Sequence, residues 1–524
     1  MASSEVTSPL LSPSSSNAYE EEAMGVDDML RRYAGEFGPW QLRNFMLTSI
    51  AWALNALHTM VIVFADREPA WKCTARASPC AQTMCALEPG AWEWSAGPGE
   101  STAAEWGLVC AFKYKVGLVQ SAFFAGSMVG AGICGHLSDN FLGRKRTLTL
   151  VSAMNAISGM LTALSPSYEA YIALRFITGL STGGVGLCAF VLATEPIGPT
   201  KRGVVGMSTF YFFSIGTILL SILAYISPSW RALYIISSIP SLLFTIIIIP
   251  FISDSPRWYL VRNKTSEAMN IMRSIAEYNG KHIPQHITLT LDDHHKVIQK
   301  NNNEKNMEHS SSIITVLQSP ITRSRLVSVT AINLLSSIVY YGLSLNVVNL
   351  KTNLYLGVIL NAVAEAPAYA LTGNALRWYG RKPLTIGTMW LSGVLCGVGS
   401  LVIMVEGGVW RLMRMVCGVM GIFAMAATFD LLYVYTAELF PTVVRNAALG
   451  CVTQAGQMGA IVAPLVVVLG GQWPFTVFAA CGLLGGVLGF YLPETWNQPL
   501  YDTMAGMEKA QIKGEVVKME SESV

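Results

Sequence analysis

Twelve stretches of about twenty mostly apolar residues run along this chain, in two sets of six separated by a polar gap. The approximate spans are 43–65, 115–137, 147–166, 170–194, 204–226 and 231–252, then 326–347, 352–374, 384–405, 410–436, 447–470 and 472–492. A helix rises about 1.5 Å per residue, so such a stretch crosses a hydrocarbon core of about 30 Å. Inside lipid every backbone amide must be bonded within the protein, and helices do this segment by segment. Composition agrees. Charged residues make up 13% of the chain, against roughly 25% in an average soluble domain. Hydrophobic residues reach 52% and mean hydropathy is +0.44. A soluble fold of 524 residues could not cover its surface with so few charges, so lipid must solvate much of it. The net charge of +2 excludes a general nucleic-acid-binding role. The expected fold class is an all-α integral membrane protein with twelve transmembrane helices in two six-helix bundles.

Short-loop bases set the expected orientation. Arg144, Lys145 and Arg146, then Lys201 and Arg202, then Arg377, Arg381 and Lys382, all fall on the side of the N-terminus if twelve spans are right. Both termini are then cytosolic. The expected organisation is a disordered tail over 1–42, a first bundle over 43–252, a cytosolic linker over 253–325, a second bundle over 326–492 and a C-terminal tail over 493–524. The loop 66–112 lies on the opposite side and holds Cys73, Cys80, Cys85 and Cys110. Four cysteines in one non-cytosolic loop suggest two disulfides in one of three pairings, with reduced thiols as the alternative.

Charged punctuation between the spans occurs twice. Gly135-x3-Asp139-x3-Gly143-Arg144-Lys145 follows the second span, and Gly373-x3-Arg377-x2-Gly380-Arg381-Lys382 follows the eighth. Arg175-x3-Gly179 is matched by Arg414-x3-Gly418, Glu195-x6-Arg202 by Glu438-x6-Arg445, and "DSPRW" at 254 by "PETW" at 493. The offsets are 237, 239, 243 and 239 residues, the signature of a duplicated chain. Internal repeats of this kind build many secondary transporters, with substrate held near the midplane between the halves. Acids at helix ends that pair with Arg144, Arg202, Arg381 or Arg445 in one conformation and release them in another make a bistable latch. The simpler alternative is bases that only fix topology.

The doubled GRK, "ATEPIGPTKRG", "SDSPRWYL", "TAELFPTVVRN" and "LPET" resemble the major facilitator superfamily. The cysteine-bearing first loop, "EWGLVC" and "YYGLSLN" resemble its organic cation/carnitine transporter branch. The polar leader and "NLYLGVILNAVAEAPAYAL" are similar to plant members. The resemblance covers residues 30 to 500. It implies two bundles, alternating access, and transport of carnitine, quaternary amines, polyamines or alkaloid-like cations. The sequence departs from the pattern in two places. The "PETKG" of sugar-porter relatives reads Pro493-Glu494-Thr495-Trp496-Asn497. In the eleventh span, Gln457 stands where animal cation carriers have an acid and anion carriers a base.

Ionisable groups within spans are costly and mark candidate sites. Glu365 lies about 18 Å along its helix from Arg377, Asp430 about 12 Å from Glu438, and Gln457 about 18 Å from Arg445. All three therefore reach the bilayer middle. An acid there can neutralise a cation or bind a proton, and helix–helix hydrogen bonding is its structural alternative. Tyr340 and Tyr341, with Tyr211 and Phe212, are candidate aromatic walls, because ring faces attract ammonium groups. Asn55, His58, Asn333 and Asn346 are candidate hydrogen-bonding groups, with helix packing as the commoner role.

Residues 1–27 are Ser-rich and acidic and read as disordered. "EVTSPLL" resembles an acidic dileucine sorting signal through Glu5, Leu10 and Leu11, which leaves the vacuolar and plasma membranes as equal expectations. An amphipathic helix is expected near 265–279. No Walker motif, zinc spacing or nucleophile elbow appears, so neither enzymatic activity, metal nor cofactor is expected. The expected partners are a small organic cation and the bilayer, with protons a further candidate and no obligate protein partner. A carrier of a neutral sugar, polyol or organic anion is the alternative function, followed by a non-transporting membrane sensor.

Overall fold

The computed structural model describes residues 22–74, 83–88, 90–290, 313–350, 352–376, 378–402, 407–496 and 507. Twelve long helices carry the expected spans. The first six are α1 (Pro39–Ala65), α2 (Tyr114–Leu137), α3 (Arg144–Thr162), α4 (Tyr168–Thr194), α5 (Pro199–Ile226) and α6 (Trp230–Leu243, continued by helical turns to Phe251). The second six are α7 (Pro320–Leu345), α8 (Leu354–Ala375), α9 (Lys382–Val402), α10 (Gly408–Leu439), α11 (Thr442–Val468) and α12 (Trp473–Gly489). Helix starts follow local chemistry. Proline occupies the first turn of α1, α5, α7 and α12, where its missing N–H costs nothing. Ser167, Ser229 and Asn353 cap α4, α6 and α8 by accepting from backbone amides.

Lipid tails are as apolar as leucine, so helices associate through close packing and polar contacts. The tightest seam joins α2 to α4. A Cβ at Gly179 would fall 2.0 Å from the Phe123 carbonyl oxygen. Only a residue without a side chain lets these two backbones meet.

The repeat recurs in three dimensions at the end of the molecule that carries the GRK motifs, here termed the GRK face. Gly143 and Gly380 both take positive φ, 82° and 74°, a conformation glycine reaches without strain. Arg144 donates to the Ser138 carbonyl and pairs with Glu195 at 3.3 Å. Arg381 donates to the Leu376 carbonyl and grips Glu438 with two bonds of 2.8 Å. Lys145 and Lys382 each reach a carbonyl near the end of their bundle, Pro250 and Phe490. Asp254 accepts from the Lys145 amide, while Glu494 accepts from the Arg381 and Lys382 amides. Each acid thus sits on a helix N-terminus, where the backbone dipole favours it.

The first tail departs from expectation. Disorder was expected over residues 1–27 and throughout the 1–42 tail, yet β1 (Glu22–Met24) pairs in parallel with β4 (Ile287–Leu289). Between them in sequence lies the antiparallel pair β2 (Trp71–Cys73) and β3 (Trp92–Trp94) in the 66–112 loop. Met24, Val26, Met29 and Leu30 are buried with Leu260 of the short helix Pro256–Val261 and with Met269, Met272 and Ile275, the apolar face of an amphipathic linker helix (Thr265–Tyr278). Asn279 ties this module to α1: it accepts from the Trp40 amide and donates to Ala34 and Gln41. Apolar residues too sparse to fold alone are ordered by the linker they cover. Glu5, Leu10 and Leu11 lie outside the described residues.

Candidate functional site: a cavity between the two halves

The halves touch at the end opposite the GRK face. Ser121 of α2 donates to the Ile461 carbonyl of α11 at 2.7 Å. Tyr355 of α8 stacks on Phe64 of α1 and edge-on to Tyr225 of α5, and accepts from Arg67 at 2.8 Å. A cavity of about 460 Å³ lies between the halves. Its lining runs from the helix middles to Leu187, Phe190, Thr436 and Leu449, near the ends that carry Glu195 and Glu438. The molecule is therefore closed at the loop end and open toward the GRK face.

Two acids reach the middle, in different circumstances. The Glu365 carboxylate is buried and receives three hydroxyls: Ser214 and Tyr340 at 2.8 Å and Tyr369 at 3.3 Å. It is not part of the cavity lining. Ser214 belongs to α5, so this carboxylate also bonds one half to the other. Asp430 does line the cavity and has no hydrogen-bond or ion-pair partner among the described residues. Gln457, Asn55, Tyr340 and Tyr341 line the cavity too, with Asn333. Asn333 spends its amide on the Val452 carbonyl. Tyr211 and Phe212 do not line it: Tyr211 packs edge-on to Tyr369 behind the wall, and Phe212 packs on Phe45. Helix rotation puts their neighbours Phe210 and Phe213 on the cavity side instead.

Rings assemble along the cavity that Asp430 lines. Phe429 lies 4.9 Å from Tyr340 and 6.3 Å from Tyr341, whose ring meets Phe124 at 4.9 Å. Trp52 meets Phe210 at 5.3 Å, and Phe210 meets Tyr369 at 6.0 Å. Phe429 and Phe210 were missed in the sequence because a lone Phe in a span is usually packing. An unbonded carboxylate beside ring faces has the chemistry to stabilise a bulky cation with a diffuse charge.

The gating residues divide. Asp139 and Glu195 both pair with Arg144, and Glu438 with Arg381, all within one half. Arg202 does not pair with a loop acid: it binds Asp27 of the ordered tail at 2.7 Å, and Arg257 shares that carboxylate. Arg445 keeps Nε and Nη2 buried without a hydrogen-bond partner. Arg175 and Arg414 stand in the halves of α4 and α10 away from the GRK face. Arg175 donates to the His58 carbonyl and Arg414 to the Trp410 carbonyl. They are core residues of their bundles here, and a latch role at the GRK face does not fit them. Arg377 lies outside the described residues. His58 and Asn346 are likewise inside their bundles, bonded to Ser241 and Asn349.

In the loop, Cys85 and Cys110 form a disulfide. Cys73 is also disulfide-bonded, and Cys80 lies outside the described residues.

Comparison with known proteins identifies the architecture. Residues 74–505 match the family described as sugar (and other) transporter. The Arabidopsis thaliana organic cation/carnitine transporter 4 is 60% identical over 98% of both chains. A Drosophila melanogaster organic cation transporter protein is 30% identical over 92% of this chain and 94% of its own. The partially occluded inward-open xylose transporter XylE from E. coli shares the fold, with a TM-score of 0.62 over 88% of this chain and all of that one, at 16% identity. Near-complete coverage by the plant relative, the duplicated GRK face and the two-bundle fold lead to one assignment: this chain is a multi-pass membrane transporter of the organic cation/carnitine transporter family within the major facilitator superfamily.

Proposed function

We propose that this chain carries organic cations of the carnitine and quaternary-amine class across a membrane by alternating access. The observation that carries the reading is Asp430, an unbonded carboxylate on the wall of a ring-lined cavity between the halves. Carnitine bears a quaternary ammonium, which has no N–H to donate and is recognised by ring faces and a nearby negative charge. The cavity offers both, from Tyr340, Tyr341, Phe429 and Asp430. Glu365 takes a different part. With three hydroxyls on it, this acid fixes the rings of Tyr340 and Tyr369 and bridges to α5, so it shapes the site without facing the substrate. Gln457 and Asn55 supply neutral hydrogen bonding for the polar end of a substrate.

The bases of the GRK face support a cytosolic reading of it, with both termini and the linker on that side and the disulfide loop on the other. The conformation is then inward-facing. Protons are the further expected partner.

Purified protein in liposomes, given labelled carnitine, tetraethylammonium or a hexose under an imposed inside-negative voltage, tests the reading. Voltage-driven uptake of tetraethylammonium, with uptake of carnitine (a zwitterion, with no net charge for the voltage to act on) beside it, both lost in Asp430→Asn, is the expected result. Uptake of the hexose alone, indifferent to voltage and to Asp430→Asn, overturns it.

A further inference from the structure

The first bundle contains a line of buried polar groups that the cavity does not use. It begins at Asp66, the residue that ends α1. Asp66 is 5% exposed, and one carboxylate oxygen accepts from Thr102 of the loop helix (Thr102–Glu105) at 2.8 Å and from Tyr171 of α4 at 2.6 Å. The other oxygen, Oδ2, is buried without a partner. The Tyr171 hydroxyl lies 2.8 Å from that of Tyr234 on α6. One turn along α4 from Tyr171 stands Arg175, with no exposure.

Arg175 is short of partners as well. Its Nη2 donates to the His58 carbonyl of α1, but Nε and Nη1 are buried and unbonded. Its guanidinium lies over two rings, Phe123 of α2 at 4.3 Å and Tyr234 at 5.6 Å. Phe123 lines the cavity. A buried acid and a buried base therefore sit on one line without touching, each with idle hydrogen-bonding capacity. A buried polar atom left unpaired is costly, so such an arrangement persists where it serves a second state.

We propose that Asp66 is the proton-binding group of this transporter, and that its charge state reaches the substrate cavity through Arg175 and Phe123. The inference rests on the reading of the chain as a carrier and adds a coupled ion to it. With a proton on Asp66, Arg175 stays on the His58 carbonyl and the Phe123 face. Loss of that proton places a full negative charge within range of idle guanidinium N–H groups. Drawing Arg175 toward Asp66 removes the cation from over Phe123 and loosens α2 against α4 at the cavity wall. The groups that act on Asp66 are Thr102 from the loop helix, Tyr168, Tyr171 and Arg175 from α4, and Tyr234 from α6. On its own helix, His58 stands two turns away. The neighbouring Arg67 is occupied by Glu100 at 2.6 Å, and Glu105 by Arg231 at 2.5 Å. Burial pushes the Asp66 carboxyl up to about 6, against the opposing pull of Tyr171, Thr102 and Arg175.

The test uses full-length protein in liposomes that trap a pH-sensitive dye. Two modes are measured with labelled carnitine or tetraethylammonium: uptake driven by a pH gradient, and exchange with equal substrate on both sides and no gradient. Wild type should show stimulation by the gradient and a substrate-dependent pH change inside the vesicles. Asp66→Asn should lose both and keep exchange, because exchange needs no net proton release. Tyr171→Phe removes a bond that favours the charged acid, so it should keep coupling and move the pH midpoint of uptake upward. Gradient stimulation of Asp66→Asn at the wild-type level overturns the proposal. So does wild-type exchange without any gradient response. If Asp66→Asn does not fold, an unmoved midpoint in Tyr171→Phe overturns it. Absence of exchange in wild type overturns the cation-carrier reading, and this proposal with it.

Discussion

Glu195 at the end of α4 keeps Oε2 buried and unbonded, and Arg445 at the start of α11, in the other half, keeps Nε and Nη2 in the same condition. Both stand at the GRK face, beside the open mouth of the cavity. Glu195 already holds Arg144 through Oε1, and closure of that mouth as the halves rock is expected to bring its idle Oε2 to Arg445. A carboxylate and a guanidinium in such a setting gain about 1.5–3 kcal/mol from a charge-assisted hydrogen bond. Cysteines placed at both positions should cross-link only when substrate conditions favour closure of the GRK face. Glu195→Gln should bias the protein toward the inward-facing state and slow transport. Equal cross-linking in both states would show that the two groups never meet.

Glu438 and Arg381 act inside one half. Reversing Glu438→Arg should block transport, since two bonds of 2.8 Å become a like-charge contact, costing on the order of 2–3 kcal/mol. The paired reversal with Arg381→Glu should restore part of the uptake. Unaffected single variants would leave these bases with topology alone.

Asp430 and Gln457 set the charge of the cavity wall from α10 and α11. Losing one charge-assisted contact, about 1.5–3 kcal/mol, lowers apparent affinity by a factor of about 10 to 150. Asp430→Asn should show that loss for tetraethylammonium and spare a neutral solute. Gln457→Glu should move affinity for cations in the opposite direction. Glu365→Gln should instead lower the rate for every solute, because it loosens Tyr340, Tyr369 and the bond to Ser214. A cation-selective loss in Glu365→Gln would mean that this acid does face the substrate. Concentration-dependent uptake by the three variants checks all of this.

What could be read in the sequence was whatever lies close along the chain or recurs. Span length fixed the helices, and the second copy of Gly-Arg-Lys and Glu-x6-Arg exposed the two halves. What could not be read depends on helix rotation and on distant pairing. Glu365 and Asp430 looked alike as lone acids in spans, yet a difference in facing buries one among hydroxyls and leaves the other on the cavity. Tyr211 and Phe210 are adjacent, and only one can point inward. Asp66 is one of six acids in the 66–112 loop, and nothing local signals the loop helix that covers it. Arg202 and Asp27 are 175 residues apart.

Asp66 carries a pH signature in stability as well. Its folded value near 6 is raised from 3.8. The folded state therefore favours the neutral acid, and the group opposes folding once ionised. Its contribution is most favourable below about pH 4, declines as pH rises from about 4 to about 6, and is flat above. Thermal unfolding of purified protein between pH 4 and 7 should show this decline, and Asp66→Asn should remove it and raise the midpoint at pH 7. A parallel decline in the variant would assign the effect to other groups.

Asp27 is the acid that the tail delivers to the transporter. Its carboxylate holds Arg202 of α5 and Arg257 of the "SPRW" turn, while β1 and the helix behind it cover the linker. Removing the acid leaves two bases side by side, partly shielded from water, so the loss exceeds one bond. About 2–3 kcal/mol is expected from Asp27→Ala, and most of it should fall on the module, which meets α5 through this carboxylate. Limited proteolysis should cut the linker near Thr265–Tyr278 sooner in Asp27→Ala, while the bundles stay intact. Truncation through Leu30 should have the same effect and expose Met269 and Met272. Transport by these variants then decides what the module does: unchanged rates would make it a tether, and altered rates would make the tail part of the gate at the GRK face.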